Sequence, residues 1–225
     1  MNPKGYRYSL DPFLVADFVR VPPKVQRVLD LGTGSGIILF LLREKAPGIC
    51  LVGLEKQETL LLAAQAGKRE RGAKRVYFVR GDIRHSSRLF PKACFDIVLA
   101  NPPYRRKGSG RTNPDPEKAS ARHELEVDIG GILVNSAGIL RDLGRLFLIF
   151  HPSRLQELLS GMEESSIHPE RIRFVHGFMR REAKMVLVEG RKNGKGDLKV
   201  EPPLVVYERA GEYTEEMKRI YITIP

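Results

Sequence analysis

The chain of 225 residues has no tryptophan, only two cysteines, and too few acids to balance its bases. Each shortage excludes something. Cys50 and Cys94 cannot build a disulfide framework or a thiolate metal cluster. Each stands just before an apolar run, as a small buried hydrophobe does, and that usage fits a reducing cytoplasm. Long apolar runs are missing too. No uncharged stretch exceeds 12 residues; the one from Leu31 to Leu42 contains three glycines, and all fall short of the roughly 18 that a membrane-spanning helix needs. Met1 to Asp17 contains no apolar core of a secretory signal, so none is expected. No His-Glu-x-x-His or comparable spacing accompanies the five histidines, and no metal site is expected. His123 reads as a helix-start or packing residue. The acid shortage is the most informative. Lys plus Arg number 38 against 27 Asp plus Glu, a net charge of +11. Such an excess favours a polyanionic partner, nucleic acid first, over a merely solvated basic face.

What is present is an ordinary globular balance, with 42% apolar and 29% charged residues, enough for one large domain. Short apolar runs alternate with helical stretches. Strands are expected at Arg27–Leu31, Ile49–Glu55, Arg75–Arg80, Phe95–Ala100, Arg145–Phe150, Arg171–Val175 and Lys184–Glu189. Helices are expected at Gly36–Lys45, Gln57–Arg71, Leu125–Leu143 and Ser153–Met162. Near-continuous Val/Ile/Leu strands separated by helices predict a doubly wound α/β fold. It has a mostly parallel seven-stranded sheet, helices on both faces and an antiparallel edge near the C-terminus. Two segments break the alternation. Residues 105–120 are rich in Gly, Pro and Arg without apolar periodicity, as binding loops and lids are. Residues 190–197 carry Asn193-Gly194 between strand-like runs, which predicts a basic hairpin turn. The two dozen residues before the first strand are too few for a separate folded domain, so a single domain over 1–225 is expected.

The sharpest local signal is Asp30-Leu31-Gly32-Thr33-Gly34-Ser35-Gly36, set between a strand and a helix. Glycines there allow a tight turn and close approach of a ligand to the backbone. They fall at every second position, unlike the G-x-G-x-x-G of dinucleotide binders. An acid two positions before the first glycine suits a cationic ligand better than a pyrophosphate. The next strand ends in Glu55, 19 residues beyond Gly36, a spacing that fits a carboxylate on ribose hydroxyls. Lys56 follows it. The third strand runs into Gly81-Asp82-Ile83, where a short polar side chain could meet an adenine edge. The fourth runs into Asn101-Pro102-Pro103-Tyr104. Its prolines fix φ and force a rigid, extended exit, presenting Asn101 at the same sheet edge as the glycine loop.

These motifs resemble the class I S-adenosylmethionine-dependent methyltransferases, a Rossmann-like family, over most of the chain. The resemblance implies S-adenosylmethionine as cofactor. Asp30, Gly32, Thr33, Gly34 and Gly36 would hold its methionine part, Glu55 and Lys56 its ribose region, and Asp82 and Ile83 its adenine, with Asn101 at the reacting end. The Asn-Pro-Pro-Tyr tetrapeptide is similar to the signature of methyltransferases acting on adenine N6, guanine N2 or protein glutamine, which makes Asn101, Pro102 and Tyr104 the catalytic candidates. Three further stretches narrow the resemblance to the bacterial tRNA(Val) adenine-N6 methyltransferase family: Tyr6 to Ala16, read as a segment closing over the cofactor and assigned to residues 1–24; Ala121-Arg122-His123-Glu124; and Val200-Glu201-Pro202-Pro203-Leu204. The implied substrate is an adenine of RNA, most naturally in the anticodon loop of a tRNA, with no membrane involved.

Basic residues gather in two places. Arg105, Arg106, Lys107 and Arg111 form a substrate lid beside the Asn-Pro-Pro-Tyr loop. Nine more lie between Arg171 and Lys199 against three acids. Both patches are expected to hold RNA phosphates without reading sequence. Rival readings are a protein glutamine methyltransferase, a guanine-N2 rRNA methyltransferase, a DNA adenine methyltransferase, and a catalytically silent module that binds cofactor and RNA.

Overall fold

A computed structural model describes residues 10–102 and 129–222. Within them, strands β1 (Arg27–Leu31), β2 (Cys50–Glu55), β3 (Val76–Arg80) and β4 (Phe95–Ala100) pair in parallel in the order β3-β2-β1-β4. β5 (Leu140–Phe150) joins β4 in parallel; β7 (Ala183–Lys192) and β6 (Ile167–His176) extend the sheet antiparallel, in the order β5-β7-β6. These are the seven expected strands. Two-residue strands β8 (Lys199–Val200) and β9 (Leu204–Val205) add to β6, and β10 (Tyr207–Arg209) pairs with β11 (Glu212–Tyr213) apart from the main sheet.

Alternation along the strands feeds two cores. Val28, Ile97, Leu99, Phe147 and Ile149 face one side; there they meet helices α1 (Asp11–Phe18) and α2 (Ile37–Lys45). Leu29, Leu31, Val98, Ala100, Leu146 and Leu148 face the other side, among residues of the later helix over Ile129–Ile139 and the one over Leu155–Glu164. Both faces are therefore covered, which is why the strands read as unbroken apolar runs. The remaining helices in chain order are α3 (Glu58–Glu70) and α4 (Ser86–Leu89), then α5 and α6 for the two just named, and α7 (Glu215–Ile222). α7 brings Met217 and Ile220 to the first core. Among the described residues, no helix is long and apolar enough to cross a membrane.

Three expectations need correction. The helix expected to reach Leu143 ends at Ile139, and β5 begins at once with Leu140, paired with Phe95. Leu143 takes φ +57° and the pairing slips between Phe95 and Ile97. Apolar spacing runs on through Ile139 and Leu140, so the helical pattern outlasts the helix. The hairpin expected at 190–197 does not form. Asn193 does turn the chain, at φ +53°, but β8 then pairs in parallel with β6, whose other side holds β7. The hairpin lies instead between β6 and β7. Finally, Cys50 and Cys94 are free thiols, only partly buried.

Candidate cofactor and reaction site

Register places the candidate residues at one edge. Leu31 pairs with Leu54 on one side and Ala100 on the other, and Glu55 pairs with Arg80. The next residues, Gly32, Glu55 and Asn101, therefore share one row at the carboxyl ends of the parallel strands, where open α/β sheets bind ligands. Along this edge, Asp30 lies inside the end of β1 and Gly32, Thr33, Gly34 and Gly36 follow it, Glu55 ends β2 with Lys56 next, Asp82 and Ile83 lie just beyond β3, and Asn101 just beyond β4. Pro102 follows, buried beside a half-buried Asn101. Tyr104, Arg105, Arg106, Lys107, Arg111, the 121–124 stretch with His123, and Tyr6 to Ser9 lie outside the described residues.

The glycine loop is held from below. Amides of Gly32 and Thr33 both donate to the Leu54 carbonyl, at 2.8 and 3.0 Å. Gly32, Gly34 and Gly36 all have positive φ, +74°, +58° and +83°, a backbone that side chains with Cβ rarely adopt. A Cβ on Gly36 would stand 2.8 Å from the Phe78 ring, whereas one on Gly34 would meet nothing within 4 Å among the described residues. Gly36 is thus a packing glycine, and Gly34 borders open space. Glu55 ties the loop to β2. Its Oε2 accepts from the Gly34 amide at 2.9 Å and its Oε1 from Gln57 at 2.8 Å; each oxygen retains a further lone pair for a ligand hydroxyl.

Asp30 is the anomaly. It is 0% exposed, and neither carboxylate oxygen has a hydrogen-bond partner among the described residues. The Thr33 hydroxyl beside it is also buried without one. Burial pushes the Asp30 carboxyl up to about 7; the Thr33 hydroxyl opposes this in part and the Glu55 charge adds to it. An unpaired buried carboxylate is expensive, and a ligand ammonium or N–H would relieve it. Asp82 is the opposite case. Arg84 donates to it from its amide (2.9 Å) and its guanidinium (2.6 Å at the nearest), and Lys56 stands 3.5 Å away. Its carboxyl is held well below the usual carboxylate range, chiefly by the Arg84 side-chain hydrogen bonds. Ile83 approaches the loop, its Cδ1 3.2 Å from where a Gly32 Cβ would lie.

Sequence reading missed Arg84, although the Asp82-x-Arg84 spacing was available as a signal. It also missed Phe78 and Gly53. A Cβ on Gly53 would meet Thr33 at 2.6 Å and Phe78 at 2.8 Å, so that glycine makes room for the loop. The orphaned Asp30 carboxylate, the open space at Gly34 and the spare acceptors of Glu55 fit S-adenosylmethionine, with its ammonium, sulfonium and ribose.

A doubly wound sheet with a glycine loop after β1 and acids at the ends of β2 and β3 defines a nucleotide-cofactor-binding α/β protein. More narrowly, the family model for the methyltransferase domain matches residues 24–165, and the chain belongs to that family. It is similar to the tRNA1(Val) (adenine(37)-N6)-methyltransferase of Porphyromonas gingivalis, with 27% identity over 87% of this chain and 78% of that protein. The protein of the same name from Aeromonas salmonicida is 26% identical over 90% and 82%. Among solved structures, a predicted O-methyltransferase from Agrobacterium tumefaciens superposes with a TM-score of 0.76 at 17% identity, covering 94% of this chain and 95% of that one. Geranyl diphosphate methyltransferase in complex with SAM gives 0.60 at 12%, covering 81% and 84%. These two likenesses are of fold.

Proposed function

We propose that this protein is a cytoplasmic RNA methyltransferase that uses S-adenosylmethionine to methylate the exocyclic N6 of an adenine, in the anticodon loop of a tRNA. The observation that carries the reading is the register that puts Asn101 in one row with Gly32 and Glu55. The names of the relatives supply the adenine and the tRNA. When bound, the cofactor supplies an electrophilic methyl group.

The chain's task is to ready a poor nucleophile. The adenine amino lone pair is delocalised into the ring. The Asn101 Oδ1 accepts one amino N–H and a neighbouring backbone carbonyl accepts the other, which favours a pyramidal nitrogen with a localised lone pair. Pro102 fixes the backbone that aims the carboxamide. Tyr104 stacks on the base and sets its angle. Asn101 does not titrate, so its contribution is positioning and electrostatics. The amino nitrogen would take the methyl group as the donor's S–CH3 bond breaks, leaving a neutral thioether, and would release a proton to water. The target base must leave its stack to reach Asn101, which suits a single-stranded loop, and Arg105, Arg106, Lys107 and Arg111 hold the flanking phosphates.

Incubation with labelled methyl donor and separate tRNA, rRNA and protein fractions tests the reading. Label in N6-methyladenosine of tRNA is expected; label in guanine, in protein, or nowhere contradicts it. Asn101→Ala should lower transfer about 100-fold or more, on the scale of one lost transition-state hydrogen bond, with cofactor affinity within a few-fold.

A further inference from the structure

Because β5 is parallel to β4, and β6 runs with β5 across the antiparallel β7, the carboxyl end of β6 lies at the same sheet edge as Asn101. The β6–β7 connection there is an ordered turn. The Arg181 amide donates to the Phe178 carbonyl at 3.0 Å, the Tyr207 amide to the Gly177 carbonyl at 2.9 Å, and the His176 Nδ1–H to the Arg181 carbonyl at 2.7 Å. At its tip Phe178 is 38% and Met179 68% exposed. Arg180, Arg181 and Lys184 are exposed and make no ion pair among the described residues.

Phe178 also ends a column of rings. It lies 5.5 Å from Tyr207, which stacks on Tyr213 at 5.1 Å; Tyr213 stacks on Tyr221 at 5.5 Å, and Tyr221 on Phe13 at 4.9 Å. This links the turn through β10, β11 and α7 to α1, a backing that keeps the terminal ring in place.

Resting on the reading of an RNA substrate, we propose that the Phe178–Arg181 turn is a second RNA contact, where an unpaired nucleotide flanking the target stacks on Phe178 and Met179 while Arg180 and Arg181 hold its phosphates. Aromatic or apolar faces interleaved with bases are what single-stranded nucleic acid needs, since every base has a π-face and every linkage a charge. Three strand spacings and about five residues of rise separate the tip from the Asn101 row, about 20 Å in all. That distance excludes the target base itself and suits a neighbour along the strand. Two arginines at the tip without an ion pair among the described residues, in a chain with net charge +11, favour RNA over a protein surface.

The test uses the full chain and an unmodified tRNA transcript. Phe178→Leu and Met179→Ala should each weaken binding about tenfold, the scale of one lost stacking contact, while Phe178→Tyr retains wild-type affinity. Arg180→Ala/Arg181→Ala should flatten the log–log salt dependence by about 1.4, as expected for two lost phosphate contacts on a single strand. Calorimetry with S-adenosylmethionine should be unchanged in all four, which shows the fold and cofactor site intact. KM for tRNA should rise with kcat nearly constant. Unchanged tRNA affinity and salt slope overturn the proposal, as does a shift in oligomeric state with RNA binding intact, which would make the turn a protein interface. A wild-type chain that binds no RNA overturns the RNA reading itself, and is told apart by needing no variant.

Discussion

Two buried carboxylates, Asp30 on β1 and Glu189 on β7, are equally hidden from water, at 0% and 2% exposure, yet treated in opposite ways. Glu189 is fully engaged. Arg171 donates to its Oε2 at 2.6 Å and Arg145 to its Oε1. Arg171 is itself completed by Glu201 at 3.2 Å, by the Phe18 carbonyl at 2.8 Å, and by the Phe18 ring, 3.7 Å beneath its guanidinium. That network ties α1 to β5, β6 and β7. Asp30 has no such network among the described residues, only the Thr33 hydroxyl nearby. A buried charge with every partner supplied by the chain is structure; a buried charge left without partners, beside a loop with open space over Gly34, waits for something from outside.

The largest expected effect falls on the satisfied side. Glu189→Ala leaves Arg171 and Arg145 facing an emptied pocket, and breaking a buried pair from one side destabilises by about 3–5 kcal/mol. Thermal unfolding should shift down by roughly 10 °C for a chain of this size, while cofactor affinity in the folded fraction stays the same. Asp30→Asn should do the reverse. It removes a desolvated charge, so thermal stability should hold or rise, while cofactor affinity falls at least tenfold, the scale of a charged hydrogen bond. A fall in stability matching that of Glu189→Ala would erase the distinction.

The pH dependence of stability sharpens the same point. With its folded value raised from 3.8 to about 7, Asp30 binds a proton in the folded chain that the unfolded chain has already lost between those limits. Its contribution therefore makes the protein less stable as pH rises from about 4 to about 7, levelling off above. Denaturant titrations of wild type and Asp30→Asn should diverge through that window; parallel curves would count against an unpaired carboxylate.

Smaller effects separate the glycines. Gly36→Ala combines a positive φ with a Cβ 2.8 Å from Phe78, and should cost about 1–2 kcal/mol of stability. Gly34→Ala carries the φ strain with no clash, so its stability loss should be smaller and its loss of cofactor affinity larger. Smallest is Arg84→Ala. Its pair with Asp82 is largely solvent-exposed on the arginine side, and stability should change by about 0.5 kcal/mol or less.

The same contrast explains what the sequence could disclose. Strands β1, β2 and β4 were legible nearly to the residue because both their faces are largely buried and the runs are continuous, whereas β3, at the sheet edge with Tyr77 exposed, was legible from its β-branched and aromatic residues. The loop glycines were legible from their alternate spacing, and all three take the positive φ that spacing requires. Partnership was not legible, because it is made across the fold. Of the nine basic residues between Arg171 and Lys199, Arg171 is held by residues 18 and 30 positions away, Arg173 pairs with Glu216, Arg191 with Glu170, and Lys192 donates to the Leu140 carbonyl. Four of the nine are therefore committed to structure, and charge counting overstates the basic surface. Asp30 shows the converse: its position in the motif is plain in sequence, but its lack of a hydrogen-bond partner among the described residues emerges only once β1, β2 and β4 are aligned.

The most direct measurement is isothermal titration of S-adenosylmethionine into the purified chain and its Asp30→Asn variant, at several pH values from 6 to 8. Wild type should bind, more tightly as Asp30 ionises through about pH 7, while the variant binds at least tenfold more weakly with little change across the range. No heat of binding in the wild type, or equal affinity and equal pH dependence in the two proteins, would contradict the assignment of this buried carboxylate to the cofactor.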